Sequence, residues 1–278
     1  MTAAAVVESS RAGQAGSLVR TLLATVGNWV LILGIIAALW VGSLWVFDVS
    51  DFVGKGPMDV YKYYFVDADA AALRAEAWGL TLVTVQDAAV GFLVGMLAAS
   101  ALSVLIVMSR VMEAAIMPIA MVVRSVPLVA LAPLVIMAVG RGTAVVAVMG
   151  GIVVLFPALV TLVFGLRSVA PQTRDVVTVY GGSAWDVLLR VAFPSALPAF
   201  FSAVRISVPG AFTGALLAQW LATGEGIGSA VVSAAGRSQN TRVWALVVVI
   251  TLVALLLYMV AQLAENLVLR HFDMVKPG

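Results

Sequence analysis

The sequence predicts an all-α membrane protein, a polytopic bundle of about six transmembrane helices. Three observations carry that expectation. Of 278 residues, 63% are hydrophobic and 11% charged, against about half and about a quarter in soluble domains. The apolar residues fall in runs long enough to cross a hydrocarbon core of about 30 Å, which takes about 20 residues. Those runs lack the polar face of a soluble amphipathic helix and the period-two alternation of a barrel strand.

Taken in order, the predicted segments are 27–47, 79–108, 113–140, 143–166, 191–222 and 243–264. The second is uncharged after Asp87, and the third is interrupted by prolines. Residues 1–26 read as an N-terminal tail, 27–270 as the membrane domain and 271–278 as a C-terminal tail. The first twenty residues are small and polar with no apolar h-region, so no removable signal is expected. Trp29, Trp45, Trp78, Trp220 and Trp244 stand near the ends of apolar runs, where an amphipathic ring sits at headgroup level. Pro57–Phe65 reads as a short interfacial helix with proline at its first position. Gly91, Gly95, Ala99, Gly150 and Gly151 read as residues that let helices approach closely.

Orientation follows from basic residues in the short loops. With both termini cytoplasmic, the inner side carries Arg11, Arg20, Arg110, Arg167, Arg174, Arg190, Arg270 and Lys276. The outer side carries Lys55, Lys62, Arg74, Arg141, Arg237 and Arg242. That arrangement is expected, in an inner or plasma membrane.

The composition also excludes chemistry. There is no cysteine, and the single histidine, His271, lies in the tail. Disulfides, thiolate catalysis and cysteine metal sites are therefore out, and no constellation of an enzyme is visible. A net charge of +2 gives no basic surface for nucleic acid. No metal site is expected.

The most informative stretch is 171–198, PQTRDVVTVYGGSAWDVLLRVAFPSALP. It is too polar to span and too apolar to be a free linker. Residues 172–180 can form two helical turns, Gly181 and Gly182 a sharp turn, and Ser183 an N-cap for a second helix over 184–190. The resulting knob is expected to expose Val176, Val179, Tyr180, Trp185 or Val187.

This stretch resembles the cytoplasmic loop signature of binding-protein-dependent ABC importer permeases. Asp175-Val176-Val177, three residues, Gly181, nine residues, Val191, Ala192 and Phe193-Pro194 follow that spacing. Valines replace the usual pair of alanines. The resemblance covers roughly 77–267. Arg124-Ser125-Val126-Pro127 with Ala130-Leu131-Ala132-Pro133, then 165–169, 204–206 and 224–228, are similar to the nitrate, sulfonate and taurine branch. That branch often has an acid where this chain has Gln219.

The resemblance implies a type I importer permease fold with a coupling loop at 171–190. Asp175, Val176, Val177, Tyr180, Gly181, Trp185, Val191 and Pro194 would meet an ABC ATP-binding subunit dimer. An extracytoplasmic solute-binding protein would deliver substrate, and a second, identical permease would complete the pathway in the lipid bilayer. The chain has no phosphate-loop motif: the glycines at 224, 226 and 228 lack the following lysine. No cofactor is expected in it, and ATP would be bound by a separate subunit. The implied cargo is a small anion or organic acid such as nitrate, a sulfonate or taurine. A vitamin-precursor pyrimidine is the alternative.

Ionisable groups at membrane depth are costly and often functional. Arg124, Gln86, Arg205 and Gln219 are therefore candidate pathway residues, with Asp87 a polar supplement. The arginines could instead pair with neighbours or reach a surface. An ion-coupled secondary transporter is a rival reading, but it needs more buried acids than Asp87 and leaves the knob unexplained.

Overall fold

The computed structural model describes residues 31–271. The N-terminal tail, Trp29 and the start of the first predicted segment lie outside the described residues, as do residues 272–278. Contact density divides the chain at Lys62 and Tyr63.

In the first unit, α1 (Leu31–Val46) is an apolar helix. After it the chain turns tightly, and Gly54 leaves room for Leu44 and Val49. Helix α2 (Pro57–Phe65) starts with proline at its first position and Asp59 in its first turn, as the sequence predicts. Asp59 accepts from the Gly56 amide at 2.9 Å.

The second unit is built on α3 (Ala70–Met108), α6 (Thr143–Arg167), α10 (Leu197–Ala218) and α12 (Asn240–His271). These are the four described helices long and apolar enough to cross a membrane. Helix α3 has 39 residues, about 58 Å at 1.5 Å each. It begins nine positions before the predicted segment, because Ala, Leu and Glu in residues 70–78 favour helix without being apolar enough to mark a span.

The third predicted segment is two helices, α4 (Arg110–Ser125) and α5 (Leu128–Val139), bent by 109°. Proline explains the break. Val126 before Pro127 is driven to an extended backbone, with φ −82° and ψ 126°, because the proline ring crowds an α conformation there.

The predicted fifth segment is also divided. The short helices α7 (Pro171–Val179) and α8 (Ala184–Val187) lead into a π-helical turn, Leu188–Ala192. Helix α9 (Phe193–Ser195) and α10 follow, and α10 ends in a second π turn, Gln219–Thr223. Helix α11 (Gly226–Gly236) was not predicted as an element. At eleven residues it is too short to span, so the criterion that found the spans passes over it.

The core lies where α3, α6 and α10 cross. Lipid is as apolar as leucine, so helices in a membrane associate by close packing rather than by escape from water. A Cβ at Gly91 would lie 2.8 Å from the Gly150 Cα, and one at Gly214 would lie 2.7 Å from it. Three backbones therefore meet at Gly150. Met149, Val154, Leu159 and Phe212 are buried on these helices. Helix α12 is different: only 11% of its apolar window is buried, so it offers most of its surface to lipid or a partner.

Candidate functional site: an exposed elbow and a broken-helix cavity

The elbow forms from its own sequence. Tyr180 closes α7, and Gly181 adopts φ +83°. The Gly181 amide donates to the Thr178 carbonyl at 3.0 Å, and the Gly182 amide to the Val177 carbonyl at 2.9 Å. These are the two bonds of a Schellman termination, which needs a left-handed residue where Gly181 stands. A Cβ on Gly181 would meet nothing, whereas one on Gly182 would strike Val177 at 2.5 Å.

Helix α8 then starts from a capping box. The Ser183 hydroxyl accepts from the Asp186 amide at 3.2 Å and donates to Asp186 Oδ2 at 2.6 Å, and the Ser183 amide donates to the same carboxylate at 2.9 Å. The Ser183 bonds hold the Asp186 carboxyl below its ordinary range. Arg190 lies 3.2 Å from Asp186 Oδ1.

Local closure leaves the elbow's side chains outward. Tyr180 is 88% exposed, Val179 83% and Trp185 53%. Asp175 and Val176 are exposed too, Val177 and Val191 are half-buried, and Pro194 is exposed. Val187, expected on the outside, is 7% exposed. It packs inward because the capping box sets the face of α8, and the next turn buries Leu188 and Ala192. The elbow therefore presents an aromatic and aliphatic surface on a backbone whose own hydrogen bonds are closed.

The four candidate pathway residues have separate settings. Arg124, exposed near the end of α4, stacks its guanidinium 4.4 Å over the Phe156 ring. It lines a cavity of about 570 Å³ at the α4–α5 break with Val126, Pro127, Phe156 and Ile206. Of the four, only Arg124 lines it. Gln86 is exposed on α3. Arg205 faces Glu265 of α12, with Nε and Oε2 3.2 Å apart but without the alignment of a hydrogen bond. Ser202 donates to the other Glu265 oxygen at 3.1 Å.

Gln219 is wholly buried and ties three elements together. Its Oε1 accepts from the Gly228 amide at 3.1 Å, and its Nε2 donates to Asp87 Oδ2 at 2.8 Å. The Thr84 hydroxyl accepts from the Ile227 amide at 3.0 Å. It reaches both the Leu80 carbonyl and Gln219 Oε1 at 3.0 Å and, with one proton, donates to one at a time. The backbone donor fixes the amide's orientation, so the nitrogen must face Asp87. An acid at 219 would instead set two carboxylates face to face. The first amides of α11, which no helix can satisfy internally, are thereby capped from α3 and α10.

Sequence reasoning missed Thr84, Glu265 and Ser202 as partners. A signal existed for two of them. Thr84 and Asp87 are three apart, hence on one face of α3, and Glu265 is the acid that follows the apolar run of α12.

A family model described as the binding-protein-dependent transport system inner membrane component matches residues 91–273. The chain is 29% identical over 229 residues to a probable ABC transporter permease protein of Haemophilus influenzae, covering 82% of this chain and 91% of the relative. It is 29% identical over 161 residues to the riboflavin transport system permease protein RibX of Chloroflexus aurantiacus, covering 58% and 60%. It is 28% identical over 174 residues to the nitrate import permease protein NrtB of Leptolyngbya laminosa, covering 63% and 62%.

Proposed function

This chain belongs to the family of binding-protein-dependent transport system inner membrane components, the membrane-spanning permeases of ABC importers, and on that premise we propose how its parts divide the work. The elbow is the handle on which an ATP-binding subunit docks. Asp175, Val176, Val177, Tyr180, Gly181 and Trp185 form its contact surface, and Val191 and Pro194 join it to the bundle. Two copies of the chain pair, two ATP-binding subunits engage the two elbows, and a solute-binding protein delivers cargo on the opposite side. Both termini are cytoplasmic.

The observation that carries this reading is the exposure of Val179, Tyr180 and Trp185 on a backbone whose own hydrogen bonds are closed. Such a knob costs apolar exposure unless something covers it. A handle must also be stiff. The Schellman turn and the capping box let force on α7 and α8 pass through the π turn Leu188–Ala192 into α10. Both packings of the bundle must then lie within a few kcal/mol of each other for nucleotide to switch them.

Arg124, at the α4–α5 break, would meet the cargo. A single cation in a cavity otherwise lined by apolar side chains and Thr161 suits a small anion or organic acid, in keeping with the name of the nitrate import relative. The riboflavin relative favours a second reading, a planar heterocycle stacked where Phe156 and Arg124 now meet. Gln219, Gln86 and Arg205 belong to the helices that shape the path.

The test uses Asp175→Arg and Gly181→Pro. Proline cannot adopt φ +83° and lacks the amide that Thr178 accepts. Both variants should insert normally and lose substrate-stimulated ATPase activity in the reconstituted importer. Normal stimulation and transport in both would overturn the docking role. The cargo class is read separately, from the ligand that copurifies with the cognate binding protein.

A further inference from the structure

Three cavities follow one another around the end of α3, sharing wall residues, and their chemistry changes from one to the next. The first, about 610 Å³, is apolar: Leu97, Ala101, Val104, Leu162, Phe193 and Phe200 are among its walls. The second, about 390 Å³, passes beneath the elbow between Val107, Leu166, Gly182 and Val187. The third, about 640 Å³, is charged and holds Arg110, Arg167, Arg174, Glu113 and Asp175. Leu166 lines the first and second cavities, and Val107 and Arg174 the second and third.

The charged end is not self-neutralised. Arg167 makes two bonds to Glu113, at 2.8 and 2.7 Å, so those charges cancel. Arg110 and Arg174 remain against Asp175, with neither arginine in an ion pair among the described residues. From Leu97 to Met108 is eleven helical positions, about 16 Å, close to the depth of one leaflet's hydrocarbon, and the extended Ser109 then ends α3 before Arg110 opens α4.

We propose that these three cavities together bind one anionic phospholipid, its acyl chains along Leu97–Val104 of α3 and its phosphate between Arg110 and Arg174. The order of the chemistry argues for that occupant. The apolar walls lie at membrane depth and the free guanidinium groups at the interface, where each juxtamembrane cation strengthens the hold on an anionic headgroup. A soluble anion would use only the charged end, and a zwitterionic lipid would gain nothing from its net charge. The middle cavity is roofed by Gly182, Ala184 and Val187 of the elbow. A lipid seated there touches the handle that the proposed docking uses, so lipid composition would tune coupling. The placement rests on the loop face being cytoplasmic, whereas retention of the lipid does not.

The test is native mass spectrometry of the intact importer complex in detergent, after incubation with phosphatidylglycerol or phosphatidylcholine. The wild-type complex should retain phosphatidylglycerol preferentially. Arg110→Ala with Arg174→Ala should weaken that retention about thirtyfold, and Arg110→Lys with Arg174→Lys should restore most of it. Ala101→Trp, which fills the apolar cavity, should displace the lipid while both arginines remain. Equal retention of the two lipids, or retention of phosphatidylglycerol unchanged in both the double-alanine and Ala101→Trp complexes, overturns the proposal. So does unchanged lipid retention with loss of the ATP-binding subunit from the double-alanine complex, which would assign the arginines to that partner. Each outcome is read from bound mass, so a failure of ATPase coupling leaves the result distinct.

Discussion

The elbow at 171–195 and the segment at 219–236 are made of the same parts in different settings. Each combines a π-helical turn, a left-handed glycine and a short helix. In the elbow the closing bonds reach no further than five residues along the chain, from Gly182 to Val177. Around Gln219 they reach 132 residues to Asp87, 135 to Thr84, and 143 from Ile227 to Thr84. One region is held by its own sequence, which leaves its side chains exposed. The other is held by the fold, which uses its side chains up.

The difference is sharpest at two glycines. Gly181 and Gly226 have φ +83° and +70°, so any side chain is strained at either. A Cβ on Gly181 would meet open space, but one on Gly226 would lie 2.3 Å from Gln219 Nε2. Gly226→Val should therefore cost more than about 3 kcal/mol, combining strain, overpacking and loss of a buried bond. The loss is read as a lower denaturation midpoint of the detergent-solubilised protein. Gly181→Ala should cost about 1 to 2 kcal/mol, the left-handed penalty alone. Equal losses at the two positions would break the contrast.

Thr84→Val comes next. It keeps the shape but removes the acceptor for the Ile227 amide and a donor to Gln219, so about 1 to 3 kcal/mol should be lost. Amide exchange should rise at the start of α11 and stay unchanged in the elbow.

Ser183→Ala is the smallest, about 1 kcal/mol for a lost N-cap, with faster exchange confined to α8. The same cap has a pH dependence. Its bonds lower the folded carboxyl of Asp186 from an ordinary value of 3.8, so the cap contributes fully above that value. Its contribution fades as pH falls through the lowered folded value. Protection of α8 that survives protonation of Asp186 would show that the carboxylate does not hold it.

The two regions also differ in how far they could be read in advance. The elbow's helix, glycine turn and Ser183 cap are local and follow from spacing alone. Val187 misled because the face of α8 depends on what the chain does next, in the π turn. Around Gln219 the residue type was legible but its partners were not. The α4–α5 break was legible as prolines, its 109° angle was not, and α11 escaped a criterion built on spanning length.

The chain by itself determined that its long helices need lipid, that the third segment is interrupted and how the elbow closes. Each depends on residues within a few turns of one another, through transfer free energy, proline geometry and capping bonds. Only the tertiary structure decided that Gly91, Gly150 and Gly214 meet, that Arg205 faces Glu265 and that Gln219 joins Thr84, Asp87 and α11. Those outcomes depend on which helix faces which at a given depth. In lipid that is settled by close packing and by the need to satisfy every buried polar group, and neither is written in any single run of sequence.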